Sequence, residues 1–421
     1  MRQRLRQVPC CWLRQALPGQ WLGAGIRGAR FACDCVFARD REFPFSRGAC
    51  TVPQQKPRSD AQRSTPRSAP REGVDEGVDR THRVIRDVPL NAEARPDALA
   101  SPITRTERFF VRRNFAPPEL GAETHHILVA GAVDRKVRLG LGALRSLGAH
   151  GVTMTLECAG NDRASMVPLP AGEPWGGGAI GTAEWAGVPL ARVLEAAGVR
   201  PAAIEILVEG ADRGAPPGSA VAIPFARSLP LDKAMHADTI LALEMNGVPL
   251  PPGYGGPVRL IVPGWYGMAS VKWVSGIRAL TEPFQGHFQR ERYMYEEPDR
   301  AAVPVTTVRV KSLIHSPSEG DPIRAGTVRV RGWAWSGEGE IARVEFSADG
   351  GERWGDAHPL DQPSPHAWRG WFYDWNVEEV GCHTLCSRAT DTAGNVQPDR
   401  APWNHHGYGN NAVRAVTVRV R

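Results

Sequence analysis

The stretch "TLECAGNDR" (Thr155 to Arg163) holds a cysteine in a setting suited to chemistry. Alternation along "VTMTLEC" puts Val152, Met154, Leu156 and Cys158 on one strand face and Thr153, Thr155 and Glu157 on the other. The run stops at Cys158. Ala159 and Gly160 follow, small enough for a bulky group to sit against the backbone. Asn161 and Arg163 then bring hydrogen-bond donors close to the sulfur. A thiolate needs nearby positive charge, and it is a soft ligand for a transition metal. The competing reading is a cysteine that only fills the core, since free cysteines are often buried.

The elements that must position this loop are legible around it. "HILVAGAV", "IEILVEG" and "PVRLIVPG" read as strands. "PLARVLEAAGV" reads as a short helix. Pro189 suits its first turn, Leu190, Val193, Leu194 and Ala197 share a face, and Gly198 suits the C-terminal cap. Heavy Gly and Pro punctuation predicts long loops. From about residue 303 the pattern changes to short alternating runs such as "GTVRVRGWAW", "IARVEFSADGGERW" and "VRAVTVRV", with Asp349-Gly350 as a hairpin signal. That pattern predicts a sandwich of immunoglobulin type. The fold class expected is therefore α+β: a β-rich mixed domain over 103–300, then an all-β sandwich over 303–421.

Composition adds bounds. The chain has 421 residues, 42% of them hydrophobic, enough for two or three domains. Residues 1–71 hold fourteen Lys/Arg against four Asp/Glu, so the basic balance belongs to that segment. The remainder is mildly acidic and gives no case for nucleic-acid binding. Residues 51–103 are rich in Pro, Arg, Ser, Asp and Glu and read as a flexible linker, with order expected to begin near Ile103. Residues 1–102 are thus expected to be a disordered basic leader and linker. Two origins of the leader stay open: an over-extended coding start, or a true disordered segment. Five of eight cysteines lie in the first fifty residues; only Cys158, Cys382 and Cys386 lie beyond. That is no disulfide framework, and Cys382 and Cys386 share a strand face too far apart to pair. A reducing, cytoplasmic compartment is expected. No apolar run is long enough to span a membrane.

Five segments in order carry a resemblance. "TLECAGNDR" resembles the C-A-G-N segment of the sulfite oxidase family. "ERFFVRRNFAPPEL", "WGGGAIGTAEWAGVPLARVLEAAG" and "LALEMNGVPLPPGYGGPVRLIVPGWYGMASVKW" are similar to three more of its segments. "ATDTAGNVQPD" followed by "PWN" is similar to its C-terminal domain. The resemblance runs from about Ile103 to the end. It implies a molybdopterin cofactor carrying molybdenum, with Cys158 as the metal ligand. It implies that Arg112 and Arg163 hold an anionic substrate, with Arg112 also reaching the cofactor. Trp175 would stand beside the substrate pocket, and Tyr293 would hydrogen-bond near the metal's labile oxygen. Asp212, Arg259, Ser270 and Lys272 would contact the pterin or its phosphate. A terminal phosphate suits Arg and Lys, and an oxyanion suits guanidinium forks.

Four positions depart from the family pattern. Arg113 and Asn114 stand where an N-H pair is usual, Tyr254 stands where a histidine often contacts the cofactor, and His406 stands where an arginine closes the substrate pocket. His406 replaces a fixed positive charge by a titratable one. His125, His126 and His236 are expected to be structural. There is no H-P-G-G and no C-x-x-C-H segment, so no haem is expected in this chain and electrons would pass to an external one-electron acceptor such as a cytochrome. The function expected is oxidation of sulfite or a related sulfur oxyanion. The alternatives are a molybdopterin enzyme for an S-oxide or nitrate-like substrate, and a non-catalytic sandwich-bearing binding protein. The family also implies a symmetric dimer through the C-terminal domain.

Overall fold

The computed structural model describes residues 81–297 and 300–421. Within them the chain is rich in strands and poor in helices. The expectation for the leader over residues 1–80 lies outside the described residues. The expectation of disorder up to residue 102 is corrected. His82–Arg86 and Asn91–Ala94 form an antiparallel hairpin, and a 3-10 turn follows at Pro96–Leu99. The polar, proline-rich composition hides this because the second strand is only four residues long and its partners are distant. Ala92 pairs with Val111 and Ala94 with Gly178 through the backbone.

Two five-stranded sheets build the first part. One runs in the order Val248–Pro249, Ile240–Met245, Ile180–Pro189, His150–Glu157, with Arg259–Ile261 also on Ile240–Met245, all antiparallel. The other runs Val137–Gly140, His126–Gly131, Val274–Leu280, Glu205–Gly214, Ile223–Pro230. Only its pair Val274–Leu280 with His126–Gly131 is parallel. The helix Leu190–Ala197 forms where its periodicity predicts. Pro189 sits at the N-cap, Gly198 closes it at φ 70°, and Leu190, Val193, Leu194 and Ala197 are buried. That face packs into the largest apolar cluster. Each fully buried leucine or valine there is worth about 1.5–3 kcal/mol.

Two further sheets build the second part. Four strands run Lys311–Ser316, Gly326–Trp335, Arg369–Val377, His358–Pro359. Five run Pro322–Ile323, Ala415–Val420, Gly381–Asp391, Ile341–Ser347, Gly355–Asp356. Side chains of both sheets meet in one cluster that includes Val330, Trp371, Trp375, Phe346, Leu385 and Val418. Cys382 is disulfide-bonded and Cys386 is a free buried thiol, so the two are not joined to each other. No helix among the described residues is long and apolar enough to cross a membrane.

The two parts meet at the strand His150–Glu157. Its even face, Val152, Met154, Leu156 and Cys158, enters one apolar cluster as the alternation predicts. Its odd face is covered by the C-terminal part. Trp368 N donates to Thr155 Oγ1 at 2.7 Å, and Trp335 Nε1 donates to Glu157 Oε2 at 2.9 Å. Trp333 and Trp368 stack with centroids 5.0 Å apart. Their indole N–H groups donate to the carbonyls of Leu99 and Pro102. These tryptophans serve as core and interface.

Candidate active site

The strand His150–Glu157 ends one residue before Cys158. The chain then turns sharply, and Asp162 takes a left-handed conformation at φ 62°. Asn161 holds that turn with both ends of its amide. Its Nδ2 donates to Glu157 Oε1 at 3.0 Å, and its Oδ1 accepts from Ala179 N at 3.0 Å. Asn161 is therefore a brace for the loop and not a donor to the sulfur, a correction to the sequence reading. Any side chain at Gly160 would strike the guanidinium of Arg163.

Cys158 opens onto a pocket lined also by Phe110, Arg112, Arg113, Asn114, Asp212, Arg259, Ser270, Lys272, Trp273 and Tyr293. These come from several elements remote in sequence. Four cationic side chains and one carboxylate line the same space. Burial pushes the Cys158 thiol up, while Arg112, the Gly160 amide and Arg163 pull it down. Burial lowers Arg259 to about 9, and it drives Lys272 well below its ordinary range, with repulsion from Arg259 and Arg113 adding. Burial raises Asp212 to about 7, opposed by Lys272. Asp212 Oδ1 is buried with no hydrogen-bond partner among the described residues. Four basic side chains thus face a single carboxylate in this pocket.

Each of three cations is aimed by its neighbours. Arg112 Nη2 donates to Asn114 Oδ1 at 2.7 Å and Nη1 to Asn91 Oδ1 at 3.2 Å, and Arg112 also bonds the carbonyl of Arg113. Asn114 Nδ2 donates to the Tyr293 hydroxyl at 3.3 Å, linking Arg112 to Tyr293. Lys272 Nζ donates to the Arg112 carbonyl at 2.9 Å and lies 5.4 Å from the centre of the Trp273 ring. Arg259 donates to the carbonyls of Tyr254 and Ser270 and lies over the Trp185 ring. Ser270 Oγ accepts from Val262 N at 3.2 Å.

Four expected site residues lie off this wall. Trp175 is fully buried in the apolar cluster that holds Cys158. The Tyr254 hydroxyl donates to the Phe109 carbonyl at 2.9 Å, away from the pocket. Arg163 Nε donates to the His406 carbonyl and Nη1 to the Glu173 carbonyl, both at 2.7 Å, and the guanidinium lies 5.2 Å from the centre of the Tyr408 ring. His406 presents its carbonyl to Arg163, while its Nε2 lies 3.5 Å from Glu296 Oε1. Burial holds the His406 imidazole below its ordinary value, opposed by Glu296 and reinforced by Arg292.

Two models of known families match the chain: an oxidoreductase molybdopterin binding domain over residues 114–288, and a Mo-co oxidoreductase dimerisation domain over residues 303–421. The sulfite oxidase of Arabidopsis thaliana is 31% identical over 367 residues, covering 79% of this chain and 92% of the relative. The chain belongs to the sulfite oxidase family. The mitochondrial sulfite oxidase of Rattus norvegicus is 37% identical over 364 residues, and there the match spans 65% of the relative's length. Among solved structures, the sulfane dehydrogenase SoxCD from Paracoccus pantotrophus superposes with a TM-score of 0.72 at 29% identity, covering 84% of this chain and 94% of that one.

Two residues of this sulfite oxidase family member escape a reading of the sequence. Asn91 is fully buried; its Oδ1 accepts from both Arg112 and the Arg113 amide. It sits in a segment that composition marks as linker. Tyr408 is buried with its ring 5.4 Å from the Tyr293 ring, and its hydroxyl donates to the Arg292 carbonyl at 2.8 Å. An aromatic in a glycine-rich run four residues past "PWN" was the available signal.

Proposed function

We propose that the chain is a molybdopterin-dependent oxidoreductase that oxidises sulfite or a related sulfur oxyanion, with electrons passing to a separate acceptor. The observation that carries this is the pocket itself: Cys158 beside Arg112, Arg113, Arg259 and Lys272, with Asp212 as the one carboxylate. The donor set fits the group. Arg259, Lys272 and Ser270 suit an anionic phosphate, and Asp212 offers a buried, unpartnered carboxyl oxygen to a pterin N–H. Among the described residues, no three His, Cys, Asp or Glu side chains gather to hold a metal. A metal at Cys158 would have to bring its other ligands with it, as a molybdopterin group does.

When bound, that group supplies the two-electron oxygen-atom chemistry. The protein's own share is electrostatic and geometric. Cys158, a buried thiol in the chain itself, would become the soft thiolate ligand once a metal displaced its proton. Arg112, fixed by Asn91 and Asn114, faces the anion with a guanidinium whose proton is secure: burial opposes it, but Tyr293 and Cys158 hold it above its ordinary value. The Tyr293 hydroxyl, held by Asn114, can donate one proton to an oxygen in the pocket. Arg163 adds positive field from behind the Tyr408 ring.

A second substrate reading starts from His406, which stands where the resemblance puts a substrate arginine and whose imidazole, held toward its neutral form, turns to Glu296. With less fixed positive charge at that position, a less charged sulfur substrate, such as the sulfane sulfur for which SoxCD is named, is the alternative. The C-terminal part is read as an immunoglobulin-like sandwich, 303–421, that pairs two copies of the chain, with 103–300 as the cofactor domain.

The test is metal analysis of the wild type and Cys158→Ser after growth with molybdate, together with sulfite-dependent reduction of an artificial acceptor. The wild type is expected to hold molybdenum and turn over sulfite, and the variant to lose both. A metal-free wild type would sink the proposal. Bound molybdenum without sulfite turnover would keep the cofactor and favour the second substrate.

A further inference from the structure

Behind the Cys158 loop, on the side away from the pocket, lies a buried charge cluster that the proposed chemistry does not use. Lys311 opens the strand Lys311–Ser316 of the C-terminal part and is 1% exposed. Its Nζ donates to Asp162 Oδ2 at 2.5 Å and to the Asn410 carbonyl at 2.9 Å, and it lies 3.6 Å from Glu157 Oε1. Glu157 immediately precedes Cys158, and Asp162 immediately precedes Arg163. One ammonium group therefore ties both ends of the loop that carries the thiol and the arginine.

Other C-terminal residues tighten the same loop. Asn410 Nδ2 donates to the Asp162 carbonyl and to Ser165 Oγ, both at 2.9 Å. Arg414 Nη1 lies 2.8 Å from Asp162 Oδ1. Trp335 holds the second oxygen of Glu157. Asp162 sits in the left-handed region, which a non-glycine residue keeps where its surroundings hold it there. The direction in which Arg163 leaves the chain is set at Asp162, one residue earlier.

We infer that Lys311 is a positioning residue: through Asp162 and Glu157, the C-terminal part sets where the Cys158 thiol and the Arg163 guanidinium sit. The inference rests on the proposed function for its kinetic consequence, but its geometric consequence stands apart from it. Lys311 does not line the pocket. It acts on the loop that does.

Two variants of the full chain test this: Lys311→Met, which removes the tie, and Asp162→Asn, which keeps the side chain's shape and removes its charge. Arg329→Gln, at an exposed ion pair with Asp374, is the control. The first readout is alkylation of Cys158 by iodoacetamide, followed by peptide mass spectrometry, in chain made by a host that cannot synthesise the cofactor. A loosened loop is expected to uncover the buried thiol and so to alkylate at least about tenfold faster in both variants, since local opening sets a reagent's access to a buried group. The second is the split between KM and kcat for sulfite in cofactor-loaded protein, with KM rising and kcat changing little. Folded variants that alkylate within about twofold of wild type and keep its KM overturn the inference, because two sites without coupling simply add. If Lys311→Met does not fold, Asp162→Asn decides alone. If the wild type turns over no sulfite, the functional reading fails and the alkylation rates decide the positioning claim by themselves.

Discussion

The pocket beside Cys158 and the cluster behind it both bury charge, and they treat it in opposite ways. In front, Arg112, Arg113, Arg259 and Lys272 line the pocket with Asp212 as its one carboxylate. Behind, Lys311 and Arg414 face Glu157 and Asp162. The consequences differ in sign. In the pocket, burial pulls Arg259 and Lys272 down and pushes Asp212 up, so each group is drawn toward its neutral form. In the cluster, burial also opposes the Asp162 carboxylate, yet Lys311 and Arg414 hold it below the usual range. Glu157 is pushed up by burial despite Lys311, so Asp162 is the member that carries the pairing. Asp162 is matched inside the fold by Lys311 and Arg414, whereas the pocket's four basic side chains face one carboxylate.

Four measurements separate the two regions. Cys158→Ser has the largest expected effect: loss of molybdenum and of all sulfite-dependent turnover, read by metal analysis and acceptor reduction. Next, the two clusters are expected to answer charge removal to different extents. Lys311→Met leaves a buried carboxylate without its partner and costs about 3–5 kcal/mol in denaturant unfolding. Arg259→Met removes a cation that makes no ion pair with a carboxylate among the described residues and loses its bonds to two carbonyls, so the cofactor-free chain is expected to lose less stability than with Lys311→Met, about 1–2 kcal/mol, while cofactor retention falls. If both variants destabilise the cofactor-free chain equally, the contrast fails.

Third comes a pH effect. Asp212 titrates near 7 in the folded chain and near 3.8 when unperturbed. Between those values the folded state keeps a proton that the unfolded chain has lost, so stability falls as pH rises through that window and levels above it. Urea unfolding of cofactor-free wild type across the window is expected to show this loss, and Asp212→Asn to remove its share. The smallest effect is expected at Tyr408→Phe. It keeps the ring beneath Arg163 and removes only the bond to the Arg292 carbonyl, at a cost of about 1 kcal/mol. A KM for sulfite that changes severalfold in that variant would show that the hydroxyl reaches the substrate.

Much of the site was legible because strand ends and turns are local. The alternation of "VTMTLEC" places Cys158 on a buried face at the end of its strand, and it does lie there. The helix Leu190–Ala197 has its cap and its face where periodicity puts them. Cys158, Arg112, Arg113, Asn114, Asp212, Arg259, Ser270, Lys272 and Tyr293 converge on one pocket. What stayed illegible was non-local. Trp175 turns into the core, packed among residues from other strands. Tyr254 reaches Phe109, 145 positions away. Asn91 braces Arg112 from a segment whose composition reads as linker.

By itself the sequence determined the local chemistry: a thiol at a strand end, small residues after it, and basic side chains in segments of a recognisable order. Only the tertiary structure decided which of those charges are matched. Arg163 and Lys311 are equally basic in sequence, yet one directs its donors to the carbonyls of His406 and Glu173 and the other to Asp162 and Asn410. The physical reason is that a side chain's type and approximate direction follow from its neighbours in the chain. Its partners come from wherever packing brings other elements, and burial then fixes whether its charge is balanced.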